Sequence, residues 1–279
     1  MSNVKIITDS AADLPPELQQ QYDVEVVPLY VTFEDGQTYL DGVDITPQQF
    51  SQKLLASREL PKTSRPNPET FARCFQRALN HYRDIIYVGI SSKISGTVES
   101  AQLAARQFTE RVHVWDSRMG SLGIGILAMK AAELARQGLS AASVLEKLQQ
   151  YRQEMNLIFT MDSLENLIKG GRVNKLPGFI GNLLDIKPIG MATLEGQIKV
   201  LEKIRGRKKS LLRLLQLVEE LGKNLPEKIV GITHLDCLEE AMQLKESIQN
   251  KFAPREVLVA PVGTTIGTYG GKGCIVISF

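Results

Sequence analysis

Cysteine is scarce in this chain. Its 279 residues contain three, Cys74, Cys237 and Cys274, far apart and without a CxxC spacing. An odd, sparse set excludes a disulfide framework and fits a reducing compartment. Long apolar runs are also missing. The longest stretch without a charge is residues 257–271, and Pro261 and several glycines break it. A membrane-spanning helix needs about 20 mostly apolar residues, so no span is expected. The opening residues MSNVKIITDS carry no apolar h-region and no cleavage site, which makes a cytoplasmic protein the expectation. An excess of one charge is lacking as well: 33 Lys and Arg face 31 Asp and Glu, for a net charge of +2. No overall field then points to a nucleic acid or a membrane surface as partner, beyond transient membrane contact.

The common catalytic signatures are absent too. No GxxxxGKS/T run occurs, which excludes a P-loop, and no GxSxG elbow, which counts against the commonest serine hydrolase design. His81, His113 and His234 show no HxxxH or HExxH spacing, so a zinc site is not expected and each reads as a surface or strand histidine. Gly120, Gly123 and Gly125 look like part of a dinucleotide fingerprint, but their order is not GxGxxG, and packing of a helix against a sheet explains them better. Arg205-Gly206-Arg207-Lys208-Lys209 is a basic run at a helix start without interleaved aromatics, and reads as a solvated end.

What remains is a globular chain, 43% hydrophobic and 23% charged, with ample apolar surface to offset the entropy of ordering. The first half alternates short β-branched runs (Val4–Thr8, Ile85–Ile90, Val112–Trp115) with amphipathic stretches, the pattern of a parallel sheet with helices on both faces. Within it, Val24–Phe33 followed by Asp35-Gly36 and Gln37–Leu40 reads as a small β-hairpin insertion near 24–41. Thr46-Pro47-Gln48-Gln49 reads as an N-cap, a Pro at N1 and a capping-box Gln. The grammar changes around Tyr151–Asn156. A Gly-interrupted helix over Leu176–Leu184, a hairpin around Leu194-Glu195-Gly196 and then strand–helix–strand suggest an α+β layer on a mixed sheet. The expected organisation is therefore an α/β/α domain over 1–154 and an α+β domain over 155–279.

In a doubly wound sheet, ligands bind beyond the carboxyl ends of the strands. Three such loops are rich in hydroxyls: Thr8-Asp9-Ser10, Ser91-Ser92-Lys93-Ile94-Ser95-Gly96-Thr97, and Asp116-Ser117. Lys62–Pro68 adds a stiff loop with Thr63-Ser64. The second is the most informative. A helix N-terminus presents unpaired N–H groups and partial positive charge to an anion, Gly96 allows close approach, and Ser95 and Thr97 add donors. Ser95 serves equally well as a helix cap, and Thr63-Ser64 as local hydrogen bonding beside proline. Gly170-Gly171-Arg172 is either a helix C-cap with a nearby cation or a flexible platform presenting Arg172 to an anion.

Taken in order, Thr8-Asp9-Ser10, Thr63-Ser64-Arg65-Pro66, Ser91–Thr97, Asp116-Ser117, Leu164–Arg172, Lys187-Pro188 and the glycine-rich tail Gly267–Gly273 resemble the DegV family over essentially the whole chain. The resemblance implies an α/β/α domain and an α+β domain with a fatty-acid tunnel between them. It implies that Thr63, Ser95 and Gly96 hold the ligand carboxylate and that no cofactor is needed. It implies a lipid carrier rather than an enzyme, similar to the binding subunit of bacterial fatty acid kinase, with a separate kinase as partner. Arg172 is then a candidate phosphate or partner contact. The chain departs from the family at Tyr269, where His is usual, and at Lys272, where Pro is usual, which leaves Tyr269 as a head-group neighbour of altered chemistry. Two other readings stand beside this one: an enzyme or kinase-like subunit acting on a small anionic substrate, and, ranked lower, a nucleic-acid-associated regulator using Arg205–Lys209.

Overall fold

The computed structural model describes residues 3–108, 110–173 and 185–279. The first half runs β1 (Val4–Asp9), α1 (Pro16–Tyr22), β2 (Val24–Val27), β3 (Tyr30–Thr32), β4 (Thr38–Leu40), α2 (Pro47–Ala56), β5 (Lys62–Ser64), α3 (Pro68–Leu79), β6 (Asp84–Gly89), α4 (Thr97–Ala105), β7 (Val112–Asp116), α5 (Leu122–Arg136) and α6 (Ala141–Gln153). Strands β2-β1-β6-β7 form an all-parallel sheet in that order. Such a sheet needs cover on both faces. On one face α3 and α4 bury Phe71, Phe75 and Ala101 against Ile7, Ile85 and Tyr87; on the other, α5 and α6 cover Ile6, Ile86 and Val88.

Local chemistry starts these helices where the sequence places them. Thr46 and Gln49 form the reciprocal capping box of α2, with Pro47 in its first turn. The Asn67 side chain accepts the Thr70 N–H at the head of α3, again with Pro next in line. The hairpin insertion is built differently from the sequence reading. Val24–Val27 is the parallel edge strand of the main sheet, with Ile6 opposite Val24. The small antiparallel sheet is β4-β3-β5 and recruits Lys62–Ser64 from beyond α2. A continuous β-rich run does not reveal that Pro28-Leu29 divides it between two sheets.

The second half runs β8 (Leu157–Thr160), α7 (Glu165–Lys169), β9 (Ile186–Ala192), β10 (Ile198–Arg205), α8 (Arg207–Leu221), β11 (Ile229–His234), α9 (Leu238–Phe252), β12 (Glu256–Pro261), α10 (Thr264–Gly270) and β13 (Ile275–Ser278). Its six strands lie in the order β10-β9-β8-β13-β11-β12, antiparallel except for β11 beside β12. Helices α8 and α9 cover one face, over Val230, Ile232 and Ile277. The other face turns toward α5. The helix expected over Leu176–Leu184 falls outside the described residues.

Helix α5 is buried over most of its surface because both sheets pack on it. Small residues make this approach possible: a Cβ on Gly231 of β11 would lie 2.8 Å from Leu122 Cβ, and one on Gly125 would lie 3.2 Å from the Ala12 carbonyl. Gly123 therefore serves helix–sheet packing, against Ser278 of β13, while Gly125 makes room for the segment that follows β1. The result is a parallel α/β/α layer and a mixed α+β layer joined through one shared helix.

Candidate functional site

Between the two sheets lies a cavity of about 500 Å³. Its walls are apolar: Ile90 and Met119 from the first sheet's loops, Leu157, Phe159 and Val276 from the second sheet, and Ile266 from α10. Its polar side gathers what the sequence left scattered. Thr63, Ser95, Gly96, Arg172 and Tyr269 all line it, together with Arg65 and Arg118. Among the described residues three arginines and no Asp or Glu line the cavity, so its electrostatics favour an anionic group.

Each polar residue is fixed by its neighbours. Thr63 stands at the middle of β5, and its Oγ1 is 2.7 Å from the Tyr269 hydroxyl. The Tyr269 ring fills the space that a side chain on Gly170 would occupy and lies under the Arg172 guanidinium, 4.3 Å from ring centroid to Cζ. Arg172 donates from Nη1 to the Gly170 carbonyl at 2.7 Å and from Nε to the Ile94 carbonyl at 3.2 Å. It thus does cap the end of α7, and it also ties that end to the loop carrying Ser95.

Ser95 precedes the N-cap of α4, which is Gly96. Its Oγ lies 2.8 Å from Thr97 Oγ1 and accepts the Thr97 N–H at 3.3 Å. The glycine at 96 has a further reason beyond open access to the backbone. A Cβ there would collide with the Arg65 guanidinium, whose Nη1 donates to the Gly96 carbonyl and to Glu99, both at 2.6 Å. Arg65 thus couples the Thr63 strand to the head of α4. Nothing in the local sequence marks Arg65 for this role. Arg118 carried no signal at all, since its place depends on a left-handed backbone (φ 52°) after β7.

The other hydroxyl-rich loops hold the fold rather than face the cavity. Asp9 is fully buried and accepts from the Tyr87 hydroxyl (2.6 Å), the Ile90 N–H (2.9 Å) and the Ala11 N–H (3.1 Å). Burial pushes its carboxyl up to about 6 against those hydrogen bonds. Thr8 and Ser117 donate to the Val88 and Gly89 carbonyls, and Ser92 to Asp116. The glycine-rich tail is helical through Gly270 and turns at residues 271–273. Asp13 and Asp41, both raised by burial, accept the Gly263 and Thr264 N–H groups at its head, at 2.7 and 3.0 Å. Those two bonds, 250 and 223 residues apart in sequence, aim α10 so that Tyr269 reaches Thr63.

Among the described residues no group of three His, Cys, Asp or Glu is placed to hold a metal ion, and no helix is long and apolar enough to cross a membrane.

Comparison with known proteins agrees across the chain. The family described as "Uncharacterised protein, DegV family" matches residues 3–279. A protein of Thermotoga maritima named fatty acid-binding protein is 32% identical over 282 residues, covering 98% of this chain and 96% of that protein. A solved structure of a DegV family protein from Thermus thermophilus, described as fatty acid binding, superposes with a TM-score of 0.92 at 33% identity, covering 100% of this chain and 99% of the other. The Streptococcus pneumoniae Fatty Acid Kinase (Fak) B3 protein, solved loaded with linoleic acid, gives a TM-score of 0.86 at 27% identity, covering 100% of this chain and 99% of the other.

Proposed function

This chain belongs to the DegV family, and from that premise we propose that it is a carrier that binds one long-chain fatty acid and presents it to a partner kinase. The observation that carries the reading is the cavity itself: an apolar chamber between two sheets whose polar side, among the described residues, collects hydroxyls and arginines without a carboxylate. An acyl chain gains about 0.8 kcal/mol per buried methylene, so the walls supply the affinity. The head group then needs donors rather than a catalytic apparatus. In this reading Thr63, Ser95 and the Gly96 backbone at the head of α4 hold the carboxylate, and Tyr269 orients Thr63. Among the described residues of the lining no nucleophile and base stand together, in keeping with a carrier whose chemistry is done by another protein.

Extraction of the purified protein with organic solvent, followed by mass spectrometry, tests the ligand class. A stoichiometric fatty acid is expected, and a different small anion in its place would overturn the carrier reading. Incubation with ATP, Mg²⁺ and fatty acid should give no acyl phosphate until a kinase subunit is added.

Thr63→Ala and Ser95→Ala should each weaken binding of a labelled fatty acid by about 1–3 kcal/mol, the range for losing a hydrogen bond to a charged group. Wild-type affinity in both variants would refute the head-group assignment.

Arg172 is half-buried in the cavity wall rather than on an exposed edge, and we assign its guanidinium to a phosphate or a docking kinase. Arg172→Ala should lower melting, because the cap of α7 and the stack on Tyr269 are lost, and a functional role adds loss of phosphorylation by a cognate kinase at a temperature where the variant is folded. Lowered melting with phosphorylation intact would reduce Arg172 to the helix cap it already provides.

A further inference from the structure

Two buried carboxyl groups converge on one point at the head of α10. Asp13 follows β1 and Asp41 follows β4, and they are only 8% and 4% exposed. A Cβ on Gly263 would lie 3.0 and 3.1 Å from the two carboxylate oxygens of Asp41 and 3.1 Å from Asp13 Oδ1. The bare glycine lets both groups reach the same stretch of backbone. Their oxygens therefore lie within about 6 Å of one another, the range in which one negative charge opposes the ionisation of the next.

The hydrogen bonds of the two groups differ. Asp13 Oδ1 accepts the Gly263 N–H at 2.7 Å, and its Oδ2 accepts the Ser121 hydroxyl at 2.6 Å. Asp41 Oδ1 accepts the Thr264 N–H at 3.0 Å, but its Oδ2 is buried without a hydrogen-bond partner. An ionised oxygen left so is costly, whereas a protonated one is a donor with the Asp13 carboxylate beside it. No cation offsets the pair. Among the described residues neither group forms an ion pair, and their surroundings are acidic or neutral. β1 contributes Asp9, and the turn before β13 contributes Cys274, its thiol raised by burial. β11 ends in His234, whose imidazole burial holds below its ordinary value and whose carbonyl accepts the Val262 N–H at 3.0 Å. The loop after β1 brings Ser10 beside Asp41, while α2 and α7 present Phe50 and Asn166 to α10. Helix α10 itself carries no charged side chain.

We propose that Asp13 and Asp41 share one proton in the folded protein, and that losing it to solvent loosens the head of α10 and with it the contact of Tyr269 with Thr63. The consequence for fatty-acid binding rests on the carrier reading; the shared proton does not. Burial raises both carboxyls, Asp13 well above the ordinary carboxylate value. The folded chain thus keeps a proton that the unfolded chain gives up near the ordinary value. The pair's contribution to stability is complete in acid and is lost as pH rises through the folded titration.

Asp41→Asn tests the pair, because a carboxamide accepts the Thr264 N–H through oxygen and donates to Asp13 through nitrogen, as a protonated carboxyl does. From about pH 6 to about pH 9, stability to urea should fall more steeply in wild type than in Asp41→Asn, and the variant should be at least as stable at the upper end. In NMR spectra of aspartate-labelled protein, one carboxyl besides Asp9 should titrate above neutrality in wild type. That titration should move to lower pH in Asp41→Asn, where no second charge opposes it. Affinity for a labelled fatty acid should fall at least threefold over the same interval in wild type and stay within about twofold in the variant. A variant less stable than wild type at the upper end, or no such titrating carboxyl, would overturn the shared proton. A titrating pair with wild-type affinity unmoved would overturn its hold on the site. A titrating pair in a chain that binds no fatty acid at any pH would instead overturn the carrier reading.

Discussion

Arg152→Met is expected to lower the free energy of unfolding by about 2–4 kcal/mol, because it leaves several buried carbonyls without their donor, at about 1–3 kcal/mol for an unsatisfied group. Arg152 is 4% exposed, and burial lowers its pKa from the ordinary arginine value. Among the described residues it has no carboxylate at ion-pair distance. Its guanidinium is used instead on backbone carbonyls: Ser117 (2.8 Å), Arg118 (3.0 Å), Met155 (3.3 Å) and Thr193 (3.3 Å). These belong to the loop after β7, the approach to β8 and the tip of the β9–β10 hairpin. One side chain thus joins the two sheets beside the cavity, where Arg118 and Gly196 form part of the wall. Ser91 adds a parallel tie, donating to the Gly196 carbonyl at 2.8 Å. Methionine keeps the length and apolar bulk of the arginine stem, so the loss reads the missing donors. Chemical denaturation with an unchanged m-value measures it. A loss below about 1 kcal/mol would mean that water satisfies the carbonyls and that the tie is dispensable.

The second large effect concerns the acyl chain. Shortening a saturated fatty acid from 16 to 10 carbons removes six methylenes, each contributing about 0.8 kcal/mol when buried. Affinity should fall by about 5 kcal/mol, roughly several thousandfold. Displacement of a fluorescent fatty acid by a graded series measures the slope. The walls that would supply it are Leu157, Phe159 and Val276 on the second sheet, with Ile90 and Met119 opposite. Phe159 holds its position because its ring lies over Gly190, where a Cβ would strike it. A flat series would place the tail outside the cavity and sink the carrier reading, whatever the head-group variants do.

Much of the architecture follows from local signals that tertiary contacts do not contradict. The parallel strands β1 and β6 are continuous β-branched runs that need cover on both faces, and the caps at Thr46 and Asn67 are complete within four residues of sequence. The hairpin at Leu194–Gly196 is likewise a local turn between two strands. The division of 24–33 between two sheets was not legible, because a strand's partner lies in another part of the chain and its own pattern does not name it.

The site divides in the same way. Thr63, Ser95 and Gly96 were visible as hydroxyls and glycine beside proline and at a helix head, and the order of motifs related them to a family. Their meeting at one cavity is a tertiary result. It depends on Asp13 and Asp41 gripping the head of α10, on Gly170 leaving room for the Tyr269 ring, and on Arg65 filling the space beside Gly96. Arg207 and His234 show the limit most clearly. In sequence they are a basic run and a lone histidine. Burial, which no local pattern encodes, decides that one is locked to Glu240 rather than solvated and that the other is enclosed at the end of β11.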